Sequence, residues 1–299
     1  MRAVRFTEFG PPSVLREVEV PDPVAGPGEE LVRVTAIGLN YGETVIRSGK
    51  GVRLFPWYEG TARPAPLGSE VVGVTADGRR LAGAPVGDAY AELAVLRDPV
   101  EVPDDVSDHR ALALLLQGAT ALAAFDAARA AAGERLLVEA AAGGVGSLLV
   151  QLGVRAGTTV VAAARGGRKL ALARELGAPE VVDYGTPGWS AAVAEVDVVF
   201  SSSGGTIGRE GFERLRPGGR LVVFGFASGE PLDVTAADAF RKGVAVIGLW
   251  NPVTPDAVRR AFASGLEPVL GEALPLARAA RAHQLLEDRA TTGKLILVP

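Results

Sequence analysis

From Glu134 onward, short apolar runs alternate with amphipathic stretches, and a glycine-rich turn joins the first run to the first stretch. This alternation limits the possible folds more than any other feature of the chain. Residues 135–141 read as a buried strand, 144–156 as a helix and 158–164 as a second strand. A helix over 168–176, closed by Gly177, precedes strands at 180–183, 196–200, 220–225 and 244–248. Apolar runs separated by helices bury both faces of each strand only in a parallel sheet covered on both sides. The predicted fold class is therefore α/β, a Rossmann-type doubly wound parallel sheet of six strands.

The first hundred residues have a different texture. Residues 30–37 alternate apolar with polar side chains before a Gly-Leu-Asn turn, and Pro21, Pro23, Gly26, Pro27 and Gly28 crowd the preceding segment. Short strands with frequent breakers predict a compact β-rich barrel or sandwich. Ser107 is a candidate N-cap for a helix over 111–132, interrupted at Gly118 and ending at Gly133. The tail adds a helix near 276–288 and a strand at 294–298. A chain of 299 residues suits about two domains. Their predicted spans are 1–112 with 250–299, and 113–249.

The sharpest motif is Ala141-Ala-Gly143-Gly-Val-Gly146, placed between a strand and a helix. That is the setting of a dinucleotide fingerprint, although Ala141 stands where its first glycine would be. Gly143 lets backbone approach a pyrophosphate, Gly146 lets the helix pack on the strand, and the helix N-terminus offers free N–H groups to phosphate. An NAD-selective site places a carboxylate about 20 residues further on, at the end of the second strand. Here that place is Ala164, followed by Arg165-Gly-Gly-Arg168-Lys169. Three cations beside two flexible glycines at a helix start form a phosphate pocket by composition.

Other classes are excluded. With no cysteine there is no disulfide, catalytic thiol or thiolate-held metal. The two histidines, His109 and His283, lie in distant segments, so no metal site is expected. His109 is expected exposed in a helix's first turn and His283 at the surface or an interface. A net charge of −4 argues against nucleic-acid binding. The N-terminus has no apolar signal region, and the apolar stretch 111–125 is broken by Gln117, Gly118 and Thr120, so a cytoplasmic protein without membrane contact is expected.

An ordered series of segments carries a family resemblance. Phe9-Gly-Pro-Pro-Ser-Val-Leu15, Gly38-Leu-Asn-Tyr-Gly42, Pro66-Leu-Gly-Ser-Glu70-Val-Val-Gly73, Gln117-Gly-Ala-Thr120, Arg216-Pro-Gly-Gly219 and the ending from Ala282 through Arg289 to Gly293-Lys follow in turn. Across nearly its whole length the chain resembles the zinc-free quinone oxidoreductases of the medium-chain dehydrogenase/reductase superfamily. The resemblance implies a GroES-like catalytic domain beside the Rossmann domain, NADPH as cofactor, and a homodimer. It also implies roles. Gly143, Gly144, Val145 and Gly146 match the pyrophosphate loop. Lys169, Tyr184 and Arg289 match positions holding the 2′-phosphate, in line with the cations at Arg165 and beyond. Asn40, Thr120 and the run Phe224-Gly225-Phe226 match segments lining the nicotinamide, and Asn40 and Tyr41 border the substrate cleft. Where zinc-bearing relatives carry Cys and then Gly-His-Glu, this chain reads Asn40 and then Gly68-Ser69-Glu70. Glu43 stands where the quinone-reductase pattern often has Asp. Residues 53–63 match no segment clearly and are expected to shape the substrate opening.

Oxidising an unactivated alcohol needs a Lewis acid or a positioned base, and the sequence displays neither. Reducing a quinone or an α,β-unsaturated carbonyl needs only donor and acceptor held together, water excluded, and oxyanion charge stabilised. The expectation is hydride transfer from nicotinamide C4 to such an acceptor in an interdomain cleft, with Asn40 and Tyr41 as catalytic residues. Two alternatives stay open. One is an enoyl-thioester reductase with Arg47, Lys50 and Arg53 lining an arm-binding channel; the other is an NADPH-binding sensor or structural protein without turnover. The strand at 244–248 is the expected pairing edge of a dimer.

Overall fold

The computed structural model describes residues 1–50, 67–250 and 253–299. The segment 53–63, with Arg53 and Trp57, and also Pro66 and Asn251, lie outside the described residues. In chain order the first elements are β1 (Arg2–Phe6), β2 (Leu15–Glu19), β3 (Glu29–Gly38), α1 (Tyr41–Arg47), β4 (Val71–Val74), β5 (Arg80–Gly83), β6 (Leu93–Arg97), β7 (Val100–Glu101) and α2 (Asp108–Ala128). The alternating part follows as β8 (Arg135–Val138), α3 (Gly144–Arg155), β9 (Thr159–Ala164), α4 (Gly167–Glu175), β10 (Glu180–Asp183), β11 (Val196–Ser201), α5 (Gly205–Glu213), β12 (Leu215–Val223), α6 (Ala236–Lys242) and β13 (Ala245–Gly248). The chain ends with α7 (Pro255–Ala263), β14 (Leu270–Pro275), α8 (Ala279–Glu287) and β15 (Lys294–Val298). Residues 1–116 with 254–299 form one unit, and residues 117–253 form another.

In the second unit the strand order is β10-β9-β8-β11-β12-β13, parallel throughout. Counted from β8, that is the 3-2-1-4-5-6 order of a doubly wound dinucleotide fold. The strands are buried on both faces because helices or turns cover each side: β8 buries Leu136, Leu137 and Val138, and β11 buries all six of its residues. Phe212, Trp189, Leu215 and Leu221 fill the space beneath. In such a fold the turns after β8, β9, β11 and β12 all leave the carboxyl ends of the strands, where ligands bind.

The first unit is organised around β3, which pairs antiparallel with β4, β6 and β15. Its residues Val32, Val34 and Ala36 alternate inward, as the period-two pattern requires. Phe6, Leu67, Leu96, Leu295 and Leu297 complete that core. Here β14 and β15 bring the C-terminal segment into the sheet made by the first hundred residues.

Three local expectations are corrected. Gly118 does not interrupt α2, which runs unbroken, because the glycine is buried within the helix and its backbone bonds continue. The helix stops at Ala128 rather than Ala132, since Arg129 turns into the left-handed region at φ 47°. Ser107 does cap it, its Oγ accepting the Arg110 N–H at 3.3 Å. The Gly-Leu-Asn segment leads not into a plain turn but into α1, for which Asn40 is the N-cap. At 21 residues α2 is long and apolar enough to cross a bilayer, yet 67% of its most apolar window is buried inside the fold, as in a core helix.

Candidate functional site

The fingerprint loop owes its shape to two close approaches. Ala140 sits at φ 48°, bringing its carbonyl back to accept the Gly143 N–H at 2.8 Å. A Cβ on Gly146 would lie 2.3 Å from that same carbonyl oxygen, so only glycine lets α3 start there. Gly143 is the extended N-cap of α3. The N–H groups of Gly144, Val145 and Gly146 therefore open the helix with no intrahelical acceptor, at its positive end. Gly144 is equally constrained, with its absent Cβ 2.7 Å from the Gln117 side chain.

The basic turn follows β9. Arg165 is exposed, Gly166 takes φ 84°, and α4 begins at Gly167, with Arg168 and Lys169 in its first turn. No acidic residue shares that turn. The fold does bring up one carboxylate that position along the chain conceals. Asp183, paired with Ala164 across β10 and β9, accepts the Gly166 N–H at 3.0 Å and the Gly185 N–H at 2.8 Å. It braces the turn with both oxygens engaged. Tyr184 follows, its N–H bonded to the Ala164 carbonyl at 3.2 Å and its ring edge-on to Trp189. Arg165, Lys169 and Tyr184 thus all belong to the carboxyl ends of β9 and β10.

The Phe224-Gly225-Phe226 run leaves β12 and is laced to the end of β11. The Phe224 N–H bonds to the Ser201 carbonyl at 3.0 Å, and the Ala227 N–H to that of Ser202 at 2.9 Å. Behind them lies a residue that the motif reading passed over, Glu139. It is fully buried, and its Oε2 accepts the Ser202 and Ser203 N–H groups at 3.1 and 2.9 Å and the Ser201 hydroxyl at 3.1 Å. Burial pushes its carboxyl up, against those donors. Thr120 is buried on α2 in the same unit.

In the first unit, Asn40 is held by a buried ion pair. Lys294, the first residue of β15, is 2% exposed and donates to the Leu39 carbonyl at 3.0 Å, to Asn40 Oδ1 at 2.9 Å, and to the Glu70 carboxylate. All three ammonium hydrogens are used. Gly38 makes room, since a Cβ there would stand 2.4 Å from Glu70 Oε1. With its oxygen so anchored, the Asn40 amide nitrogen faces Ser69 Oγ at 2.9 Å, Glu70 Oε1 at 3.0 Å and Glu43 Oε1 at 3.3 Å. These are the places at which zinc-bearing members of the resembled superfamily carry ligands. The set present does not fit zinc: an amide, a hydroxyl and a carboxylate already neutralised by an internal ammonium supply none of the thiolate or imidazole donors the metal prefers.

Two further expectations are overturned. His283 is not at the surface but fully buried, because α8 turns that face inward. Burial, and secondarily the Arg47 charge, push its pKa from 6.5 down to about 3. Arg47 does not line a channel: it is fully buried, donates from Nε to His283 Nδ1 at 3.3 Å, and pairs with Glu287. Lys50 is exposed. Arg289, at φ 56°, places its guanidinium 4.0 Å over the Tyr41 ring. The two residues assigned to separate tasks are therefore in contact within one unit.

Comparisons with known proteins agree with this geometry. A family described as Zinc-binding dehydrogenase matches residues 144–264. The chain is 32% identical to a quinone oxidoreductase of Pseudomonas aeruginosa over 332 aligned positions, covering 100% of this chain and 99% of the relative. It is 29% identical to a 2-haloacrylate reductase of a Burkholderia species, covering 100% and 99%. Among solved structures, the Escherichia coli quinone oxidoreductase complexed with NADPH superposes with a TM-score of 0.90 at 26% identity, each chain covered in full.

Proposed function

The chain belongs to the zinc-binding dehydrogenase family, in its quinone oxidoreductase group, and from that membership we propose that it is a metal-free, NADPH-dependent reductase of quinones or α,β-unsaturated carbonyls. The observation that carries the metal-free reading is Lys294, whose ammonium fills the position between Asn40 and Glu70. A site so filled offers no Lewis acid to an alcohol. It suits an acceptor that is already electron-poor.

In this reading the α3 N-terminus and Gly143, Gly144, Val145 and Gly146 hold the pyrophosphate of NADPH. Arg165, Lys169, Tyr184 and Arg289 hold the 2′-phosphate, and Asn40, Thr120, Phe224, Gly225 and Phe226 line the nicotinamide. When bound, the cofactor supplies a hydride from nicotinamide C4. The Asn40 side chain, fixed by Lys294, and Tyr41 border the acceptor. Burial of Arg47 in an ion pair takes away one cation of the thioester-arm alternative. The unsaturated acceptor named for the Burkholderia relative supports widening the substrate class from quinones to conjugated acids and ketones. The same reading gives a homodimer joined along β13, the exposed end strand of the parallel sheet, where Val246 is 46% exposed.

The test is oxidation of NADPH by the purified protein with 9,10-phenanthrenequinone and a panel of enones, beside metal analysis. Turnover without stoichiometric zinc is expected. Tight NADPH binding with no turnover on any acceptor would favour the sensor alternative and refute the reductase.

A further inference from the structure

A second chain of hydrogen bonds starts at Asn40 and runs inward. Ser69, exposed, donates from Oγ to Glu43 Oε1 at 3.1 Å. Glu43, 4% exposed, accepts the Tyr90 hydroxyl on Oε2 at 2.6 Å, and the Asn40 N–H at 3.3 Å. The Tyr90 oxygen lies 3.0 Å from His283 Nε2. His283 Nδ1 accepts from Arg47 Nε, and Arg47 pairs with Glu287. Glu43, Tyr90, His283 and Arg47 are all buried.

The direction of this chain follows from its inner end. An arginine gives up no proton near neutrality, so His283 Nδ1 is a standing acceptor and the imidazole hydrogen sits on Nε2, pointing at Tyr90. Tyr90 then spends its own hydrogen on Glu43. Burial and the neighbouring Glu43 keep that phenol protonated. Arg47 closes the inner end, and among the described residues of this chain of hydrogen bonds Ser69 is the exposed end.

We propose that Ser69 and Glu43 form a proton-delivery path to the reduced acceptor, with Ser69 as the group that touches its oxygen and Glu43 as the positioning residue that stores the proton. The proposal rests on the reductase reading and supplies the proton donor that it lacks. Once reduced, the acceptor carries an extra electron pair on oxygen. When Glu43 carries its proton on Oε1, the Ser69–Glu43 hydrogen bond runs the other way, the carboxyl donating to Ser69 Oγ and the Ser69 hydroxyl turning to the acceptor. The Ser69 O–H bond then breaks as the acceptor O–H bond forms, and the Glu43 proton moves to Ser69 Oγ. No group is oxidised in this step. Glu43 is left as a carboxylate steadied by Tyr90 and the Asn40 N–H, and it takes its next proton from water through Ser69.

The electrostatics suit a store. Burial raises the Glu43 pKa above the usual carboxylate range; Tyr90, Lys294 on β15 and the Asn40 N–H oppose that, and the Glu70 charge adds to it. His283 and Arg47 stand behind Tyr90. Glu43 therefore keeps its proton to higher pH than an exposed glutamate, and acceptor reduction falls as pH rises through its pKa.

The experiment is a pH–rate profile of NADPH oxidation with 9,10-phenanthrenequinone and one enone, for the wild type and three variants. Ser69→Ala and Glu43→Gln lower kcat roughly a hundredfold, leave the KM for NADPH within about twofold, and abolish the high-pH limb. Tyr90→Phe removes a donor to the carboxylate and moves the limb to higher pH. Infrared spectroscopy of the cofactor-free wild type, titrated upward in pH, shows a protonated-carboxyl band that outlasts those of exposed glutamates and that Glu43→Gln removes. A turning-over wild type beside an unimpaired Glu43→Gln or Ser69→Ala refutes the relay alone, as does loss of the limb in Tyr41→Phe with Ser69→Ala unaffected. Absence of the infrared difference refutes the store independently of turnover. A wild type inactive on every acceptor refutes the reductase reading, and the relay with it.

Discussion

Replacing Lys294 by Met tests the ion pair that fixes Asn40. The thioether keeps most of the lysine stem's volume, so the change isolates the ammonium. Three acceptors lose their donor at once: the Leu39 carbonyl, Asn40 Oδ1 and Glu70. Glu70 stays fully buried, with the Leu116 N–H at 3.3 Å and the Asn40 amide as its remaining donors. Removing one partner of a buried pair costs about 3–5 kcal/mol because the other charge is stranded. Against a typical total of about 5–15 kcal/mol, that is a large share. For a urea slope of about 2 kcal/mol/M, the midpoint falls by roughly 1.5–2.5 M. Unfolding is followed by two probes, so that the two units are resolved if they melt separately. Glu70→Gln combined with Lys294→Met restores at least half of the loss, since no charge is left without a partner. A single-variant loss below about 1 kcal/mol, or a double variant no more stable than Lys294→Met, would refute the argument. Catalysis should fall in Lys294→Met even where the protein is folded, because the Asn40 amide loses its anchor.

Lys169→Ala should weaken NADPH by roughly 1–3 kcal/mol, the worth of a charged hydrogen bond, and NADH much less; equal losses by fluorescence titration would remove Lys169 from the 2′-phosphate site. Val246→Lys places a charge on the exposed β13 edge and should convert a dimer to a monomer in analytical ultracentrifugation, with the far-ultraviolet spectrum unchanged. His283 is held neutral in the fold down to about pH 3 but takes a proton near 6.5 when unfolded, so the unfolded state binds the extra proton between those values. Its contribution is complete above pH 6.5 and is lost as pH falls, at no more than about 1.4 kcal/mol per pH unit; in urea titrations His283→Gln should be flatter with pH than the wild type, and equal slopes would contradict the assignment.

The parallel sheet was readable from the sequence because its signals are local. Apolar runs such as Leu136 to Val138 declare a strand buried on both faces, and the three glycines that follow fix the turn. The cations at Arg165 to Lys169 were equally plain. What the sequence concealed depends on pairings far apart in the chain. His283 meets Tyr90 across 193 residues and Arg47 across 236, and no periodicity marks any of the three as partners. Arg47 reads as a solvated helix-end cation until α8 covers it. Lys294 gave a faint signal: a lysine opening an otherwise apolar strand, where a buried position must find a counter-charge. Asp183 and Glu139 look like ordinary strand-end acids, and only the sheet order shows which backbone N–H groups they satisfy.

The lysine that completes the Asn40 pocket is separated from Glu70 by 224 residues of chain. At about 5–20 residues per second of synthesis, the ribosome needs roughly 10–45 seconds to bridge that gap. During that interval the nascent N-terminal sheet exposes an acid awaiting its counter-ion and an edge of β3 awaiting β15. The unit built on the parallel sheet, continuous in sequence, is finished first. Chaperone attention in the cell should therefore concentrate on the early-made N-terminal segment, which is the last to mature.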